Sequence, residues 1–412
     1  MSSLPFASPR PFFGWHVVAA TFVLASFGWG VGFYGPPVFL YAVVERTGWP
    51  VALVSAAVTV HFLVGAVVVA NLPRLYRRLG VPQVTVLGAV LLALGVTGWA
   101  LAAVPWQLFG AALASGAGWV GMGAAAVNAL IAPWFSLRRP AALGMAYNGA
   151  SLGGVIFSPL WITLIAGIGF AAAALVVGGV MVAVVALLAV LVFSRTPEAM
   201  GQHPDGAAAP RAAPLAGAGV PRLRLWRDRK FLTLAAGMML GLFAQIGLLA
   251  HLFSLLVPVL GEGAAGLAMG GATLAAILGR TLVGWVMPVS ADRRLVACMS
   301  YGVQVLGSLV FLAAAGEGGL WLFTGLALFG LGIGNATSLP PLIAQQEFAP
   351  ADAARVVPLI VAIGQAGYAF APAAFGLLRG DAGSEGLLFA CAAAVQLLAI
   401  LCLLAGRGDR KA

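Results

Sequence analysis

FAAAALVVGGVMVAVVALLAVLVF, residues 170–193, is a run without one charged or strongly polar side chain. The hydrocarbon core of a bilayer takes about 20 such residues per helix, so the run reads as a membrane-crossing helix. Directly after it comes SRTPEAMGQHPDG, 194–206, which opens the longest polar interruption of the chain. Working outward on both sides, similar apolar runs recur at roughly 12–34, 50–72, 83–104, 106–133, 140–166, 231–258, 264–287, 295–315, 319–343, 355–378 and 385–405. With 170–193 these make about twelve, and the polar interruption divides them six and six. The reading is an all-α polytopic membrane protein of about twelve transmembrane helices in two six-helix halves, 1–193 and 231–412, joined by a linker at 194–230. That linker is rich in Ala, Pro and Gly and is expected to be flexible, with no fold of its own.

Composition supports lipid as the solvent. Of 412 residues, 62% are hydrophobic and 8% charged, against about 25% charged in a soluble domain. The 55 glycines suit helices that pack closely in a membrane. The first long apolar stretch, from Phe12, is too long for a cleavable signal peptide and lacks a convincing cleavage site. A net charge of +10 would suggest nucleic acid in a soluble chain. Here the basic residues sit in short clusters between apolar runs. If the N-terminus is cytoplasmic, nineteen Lys and Arg fall on that side, among them Arg74, Arg77, Arg78, Arg138, Arg139, Arg293 and Arg294. Two, Arg46 and Arg379, fall on the other, and Arg280 lies within a helix. The asymmetry places both termini and the linker in the cytoplasm, with no nucleic-acid partner. A bacterial inner membrane and a monomer are the expected setting. Cys298, Cys391 and Cys402 lie in apolar segments and read as buried thiols. No metal site and no cofactor are implied.

The halves echo each other. One Gly-rich helix carries Ala117, Gly121, Ala125 and Asn128; its counterpart carries Gly330, Gly334, Ser338 and Asn335. A duplicated bundle holds its binding site between the halves near mid-membrane.

Twelve spans, the six-plus-six division and the basic loop at 74–78 resemble the major facilitator superfamily, over nearly the whole chain. Three segments resemble the branch of monocarboxylate transporters and oxalate–formate antiporters: APWFSLRR (132–139) leading into ALGMA, PEAMGQHPDG (197–206), and Gly279-Arg280 followed by Gly284. There are departures. Arg77 stands where the superfamily's 2–3 loop has an Asp, and Ser158-Pro159 where Gly-Pro is usual. Ala276 stands where animal monocarboxylate transporters carry an Asp paired with the Arg at the place of Arg280, and the Lys of their first span is missing. Gln365 and Tyr368 occupy the helix that carries a Lys in oxalate antiporters.

The resemblance and the residues together point to a secondary active transporter, symporter or antiporter, for a small organic anion such as a monocarboxylate, and not to an enzyme. An efflux carrier for amphipathic small molecules is the alternative; its signature for cations, an acid at membrane depth, is missing. Arg280 is the candidate anion ligand. Thr273, Ala276, Arg280 and Gly284 share a small-residue face, with Leu278, Leu282 and Trp285 opposite. The competing reading is an Arg that snorkels to the interface. His61 and His251 are candidate proton carriers, against a structural role in helix contacts. Asn128, Asn335, Gln365, Tyr368, Tyr147 and Trp29 complete the candidate site; Trp29, Phe33 and Tyr34 could shape a gate, the competing role being an interfacial aromatic belt.

Overall fold

The computed structural model describes residues 11–206, 222–288, 290–314, 319–379 and 385–407. The first crossing is α1, Gly14–Gly32, continued by α2, Gly35–Thr47. Then follow α3 (Val51–Leu79), α4 (Val81–Leu101), α5 (Pro105–Met122) with α6 (Ala124–Ile131), α7 (Arg139–Ile168) and α8 (Phe170–Leu188). After the short α9 (Arg222–Leu225) the second half contains α10 (Arg229–Val286), α11 (Arg293–Ala314), α12 (Leu320–Glu347), α13 (Pro350–Tyr368) with α14 (Ala371–Leu378), and α15 (Glu385–Ala405).

Among the described residues, eleven helical stretches are long and apolar enough to cross a membrane. One of them counts twice. At 1.5 Å per residue the 58 residues of α10 would run about 87 Å, far more than a bilayer core of about 30 Å. The helix turns back at Gly261, where φ is 75° and ψ 162°, a conformation closed to residues with a Cβ. Its limbs, 229–260 and 262–286, are two crossings, and the total is twelve. Most of α10's apolar window is buried, 83% against 28% in α8; α10 lies at the centre of the bundle and α8 on its lipid-facing rim.

The first crossing differs from the sequence expectation of 12–34. It runs on to Thr47 and is interrupted at Phe33 and Tyr34. Pro36 and Pro37 supply no N–H to the preceding turn, so the helix breaks just before them. Trp29, Phe33 and Tyr34 therefore stand at mid-depth, away from the interfacial aromatic belt.

An even number of crossings returns the chain to the face it left; call it the near face. There Arg294, 1% exposed, gathers four helix ends of the second half. It pairs with Glu347 through Nε (2.6 Å) and Nη2 (2.8 Å), and donates to the carbonyls of Lys230 and Leu403 and to Thr233. Burying one charge with its partner and three further acceptors satisfies the guanidinium away from water. On the first half, residues 194–206 are ordered, contrary to the expectation of a structureless linker. Asp205 accepts from the backbone N–H groups of Ser136, Leu137 and Arg138 at 2.8–3.2 Å, just ahead of α7. Gln202 clamps Phe13 N and the Pro11 carbonyl. Residues 207–221 lie outside the described part.

The halves meet through α7 and α10, α3 and α14, and α2 and α10. The Tyr41 hydroxyl donates to Glu262 (3.2 Å), and the Ala373 N–H donates to Thr59 Oγ1 (3.0 Å). Gly376 abuts Ser55, and Gly266 abuts Ile162 and Pro159. These contacts lie at mid-depth or toward the far face. One apolar core draws on both halves, while toward the near face there are two separate clusters, one per half: around Phe135 and Trp134, and around Phe231 and Tyr301. The halves are sealed at the far face and part toward the near one.

Candidate functional site

Arg280 sits on the second limb of α10, half-buried, against α12. Its Nε donates to the Gly334 carbonyl at 3.2 Å. A Cβ at Gly334 would lie 3.1 Å from Arg280 Cβ and Nε, so the glycine leaves room for the side chain to cross α12. The limb runs from far face to near face, and helical side chains lean toward the helix N-terminus. Arg280 therefore leans deeper into the membrane rather than toward the near interface. Consistently, it lies within electrostatic range of Tyr34 at the break of the first crossing. Tyr34 in turn stands beside Thr273. Gly154 of α7 meets both, since a Cβ there would come within 2.6 Å of Thr273 Cγ2 and 2.7 Å of the Tyr34 ring. Three helices from two halves converge here. Arg294 pairs with Glu347 and Arg407 with Asp292; among the described residues no carboxylate pairs with Arg280. Asn335, next to Gly334, is 3% exposed, and its Oδ1 is buried without a partner.

A second group of expected site residues assembles in the first half. Asn128 Nδ2 donates to the Tyr147 hydroxyl (2.7 Å) and the Ala124 carbonyl (2.9 Å), and Tyr147 donates to Ala124 as well. The Trp29 ring stands edge-on to Tyr147 at 6.0 Å. Tyr368, at the end of α13, meets Phe62 of the other half edge-on at 5.8 Å. Gln365 is one turn earlier and half-buried.

The two histidines lie inside helix contacts. His61 is 1% exposed. Its Nε2 is 2.9 Å from the Gly32 carbonyl, which only accepts, so Nε2 carries the proton; Nδ1 faces Ser115 Oγ at 2.8 Å. Both nitrogens are occupied, tying α1, α3 and α5 together. His251 is fully buried, with Nε2 on the Pro372 carbonyl at 3.0 Å and Nδ1 without a partner. It holds the start of α14, one residue from the N–H that Thr59 caps across the interface.

The break of the first crossing also roofs a small cavity between the halves. Phe33, Tyr34, Pro36 and Phe62 line it from one side, and Leu249, Ala250 and Met269 from the other. A wider recess of about 360 Å³ opens beyond the seal, between Tyr41, Glu45, Arg46, Phe253 and Glu262. Among the described residues, no three His, Cys, Asp or Glu side chains converge as a metal site.

The sequence marks Arg280 and Thr273 on one face and Tyr34 as a gate aromatic, but does not bring Tyr34 to their side. The available signal was YGPP, 34–37, a helix break at mid-depth rather than at a helix end.

Residues 18–372 match the sequence family described as the Major Facilitator Superfamily. The chain belongs to that superfamily. It is 28% identical over 355 residues to the MFS-type transporter 1 of Ophiocordyceps sp. (strain BCC 1869), across 81% of this chain and 72% of that protein. Its fold is similar to that of a bacterial homolog of the human lysosomal transporter Spinster, inward-facing and unoccupied, with a TM-score of 0.66 at 16% identity, over 97% of this chain and all of that one. It also resembles the nucleoside transporter NupG, with a TM-score of 0.73 at 12% identity, over 95% and 100% of the two chains. The superfamily member described here is a multi-pass membrane protein and a secondary transporter of a small molecule.

Proposed function

We propose that this transporter carries a small organic anion, a monocarboxylate, by alternating access of its two halves, with Arg280 as the anion ligand. The observation behind this reading is a guanidinium at membrane depth that no described carboxylate neutralises and that leans toward the junction of the halves. An Arg at helix centre costs about 2.5–3.5 kcal/mol on insertion scales, and an incoming carboxylate would supply the missing charge. One fixed cation suits one carboxylate; a dianion would leave a charge uncompensated. Asn335, with its buried orphan oxygen, and the Asn128–Tyr147–Trp29 group stand as further ligands, as do Gln365 and Tyr368 of α13. His61 and His251 we assign to helix packing. Among the described residues every Asp and Glu lies in a loop or at a helix end, so a proton, if one moves, travels with the substrate. The lack of a mid-depth acid also argues against a carrier of amphipathic cations. The near face, with the basic loops, is the cytoplasmic one under the positive-inside rule.

Counterflow in proteoliposomes against labelled monocarboxylates and dicarboxylates tests the proposal. Exchange of monocarboxylates well above that of dicarboxylates is expected. Equal inhibition by oxalate and by lactate would refute a single-cation site.

A further inference from the structure

The small cavity roofed by the break of the first crossing forms a blind apolar end deeper along the second limb of α10 than Arg280. Of the side chains that line it, from Phe33 to Met269, none is charged, and the Tyr34 hydroxyl is the one hydrogen-bonding group they bring. Its volume of about 20 Å³ holds one methyl-sized group. Both halves contribute: Phe33, Val58 and Phe62 from the first, Ile246, Leu249, Ala250 and Met269 from the second. A ligand shifts a two-state equilibrium only through contacts that differ between the states. A group seated here touches surfaces of both halves that must separate when the far seal opens.

The spacing between anchor and blind end sets a length. From Arg280 back to Thr273 is about 10 Å along the helix, and the leaning side chain spans about 6 Å of that. Met269 lies one turn beyond Thr273, about 6 Å farther. The gap from guanidinium to cavity is thus about 10 Å, of which a hydrogen bond takes about 3 Å. An extended chain advances about 3.5 Å per three bonds, so the remainder is about six bonds. We infer that the substrate is an amphipathic monocarboxylate whose apolar tail of about five or six carbons runs past Tyr34 and ends in the cavity between Phe62, Leu249 and Met269. This rests on the assignment of Arg280 as the anion ligand and adds to it the tail, its length and the residues that measure it. Two-carbon acids and oxalate reach only the anchor.

The test is thermal stabilisation of the full chain in lipid nanodiscs by unbranched carboxylates from acetate to decanoate. The matching neutral amides, which enter lipid but offer no anion, give the background. Stabilisation should rise with chain length, peak near six or seven carbons in all, and then fall. Ala250→Val, which fills the blind end, should move the peak to shorter acids, and Leu249→Ala, which deepens it, to longer ones. Two variants of opposite sign keep the test valid if one folds poorly. Stabilisation by carboxylates with no length optimum, or an optimum that neither variant moves, overturns the tail assignment and leaves the anion anchor standing. Failure of every carboxylate to stabilise beyond its amide overturns the anchor, and the tail with it.

Discussion

Arg280 is held by one backbone carbonyl and faces a tyrosine, so most of its hydrogen-bonding capacity is uncommitted. A planar fork carries directed bonds to a carboxylate that a Lys ammonium cannot reproduce. Arg280→Lys should weaken substrate binding by roughly ten- to a hundredfold, the worth of a charge-assisted hydrogen bond. Arg280→Ala should reduce transport to background while the protein still folds, because its surroundings are Gly334 and Ala276. Initial rates and substrate-induced thermal shifts in purified protein decide the matter; near-normal rates with Lys would favour a structural Arg. A quieter residue sits at the near face. Asp205 adopts φ 61°, a left-handed conformation that Asp tolerates better than most residues. Slight burial acts to raise its pKa, but the N–H groups of Leu137, Arg138 and Ser136 and the charge of Arg138 outweigh this and hold it below its ordinary 3.8. A depressed folded pKa means that the stabilisation is present above 3.8 and is lost as pH falls through the folded value. Asp205→Ala, which leaves three N–H groups uncapped, should cost about 0.5–2 kcal/mol, read as a lower melting temperature at neutral pH. The difference from the parent should shrink under strong acid; a constant difference would show that the carboxylate charge is irrelevant. In the sequence Asp205 was visible only as part of a resemblance, because its partners are backbone groups some seventy residues away and no side-chain pattern marks them.

Single helices show what periodicity reveals and what it conceals. Twelve crossings and their division were legible because apolar length alone specifies them. The interruption of the first crossing was not, since the apolar run continues through Tyr34-Gly35-Pro36-Pro37 and apolar length does not show a break inside it. Of the two roles the sequence leaves open to Trp29, Phe33 and Tyr34, a gate or an interfacial belt, their mid-depth position is at odds with the belt. His61 illustrates the same limit. Its two partners, Gly32 and Ser115, come from different helices, so no local signal separates a packing histidine from a titrating one. The glycines tell the reverse story, since their purpose emerges only from the neighbours. Gly154 carries α7 across Tyr34 and Thr273 at a distance where a Cβ would meet both. Gly154→Val should wedge the halves apart at mid-depth, overpacking worth about 1–3 kcal/mol, and shift the population away from the far-sealed state. A cysteine introduced at Ala250 should then react faster with an impermeant thiol reagent applied to the far face. Unchanged reactivity together with unchanged transport would mean that the contact bears no part of the seal.

At the scale of the whole molecule the seal joins two rigid bodies through a few points. Arg294 and its four acceptors fix the second half, and Asp205 with Gln202 fixes the first, so movement between states is confined to the surface where they meet. That surface is set with small residues at the far end: Ala52 and Ser55 of α3 lie against Gly376 of α14, with Thr59 capping Ala373 one turn away. A rocking carrier must break all of these contacts in every cycle. A covalent link there should stop it. With the native Cys298, Cys391 and Cys402 replaced, Ser55→Cys combined with Gly376→Cys should form a disulfide on mild oxidation. A Cβ at Gly376 would lie within 2.5 Å of Ser55 Cβ, and a relaxation of about 1 Å reaches disulfide geometry. Counterflow should fall close to background on oxidation and return on reduction. Gly98→Cys with Ala111→Cys is the control, because it joins α4 to α5 within the first half, where a Cβ at Gly98 would lie 2.8 Å from that of Ala111. That link should leave transport intact, since the first half moves as one body. Full transport with the Ser55–Gly376 link quantitatively formed would show that the halves do not separate at this end, and the alternating-access reading of the seal would fall.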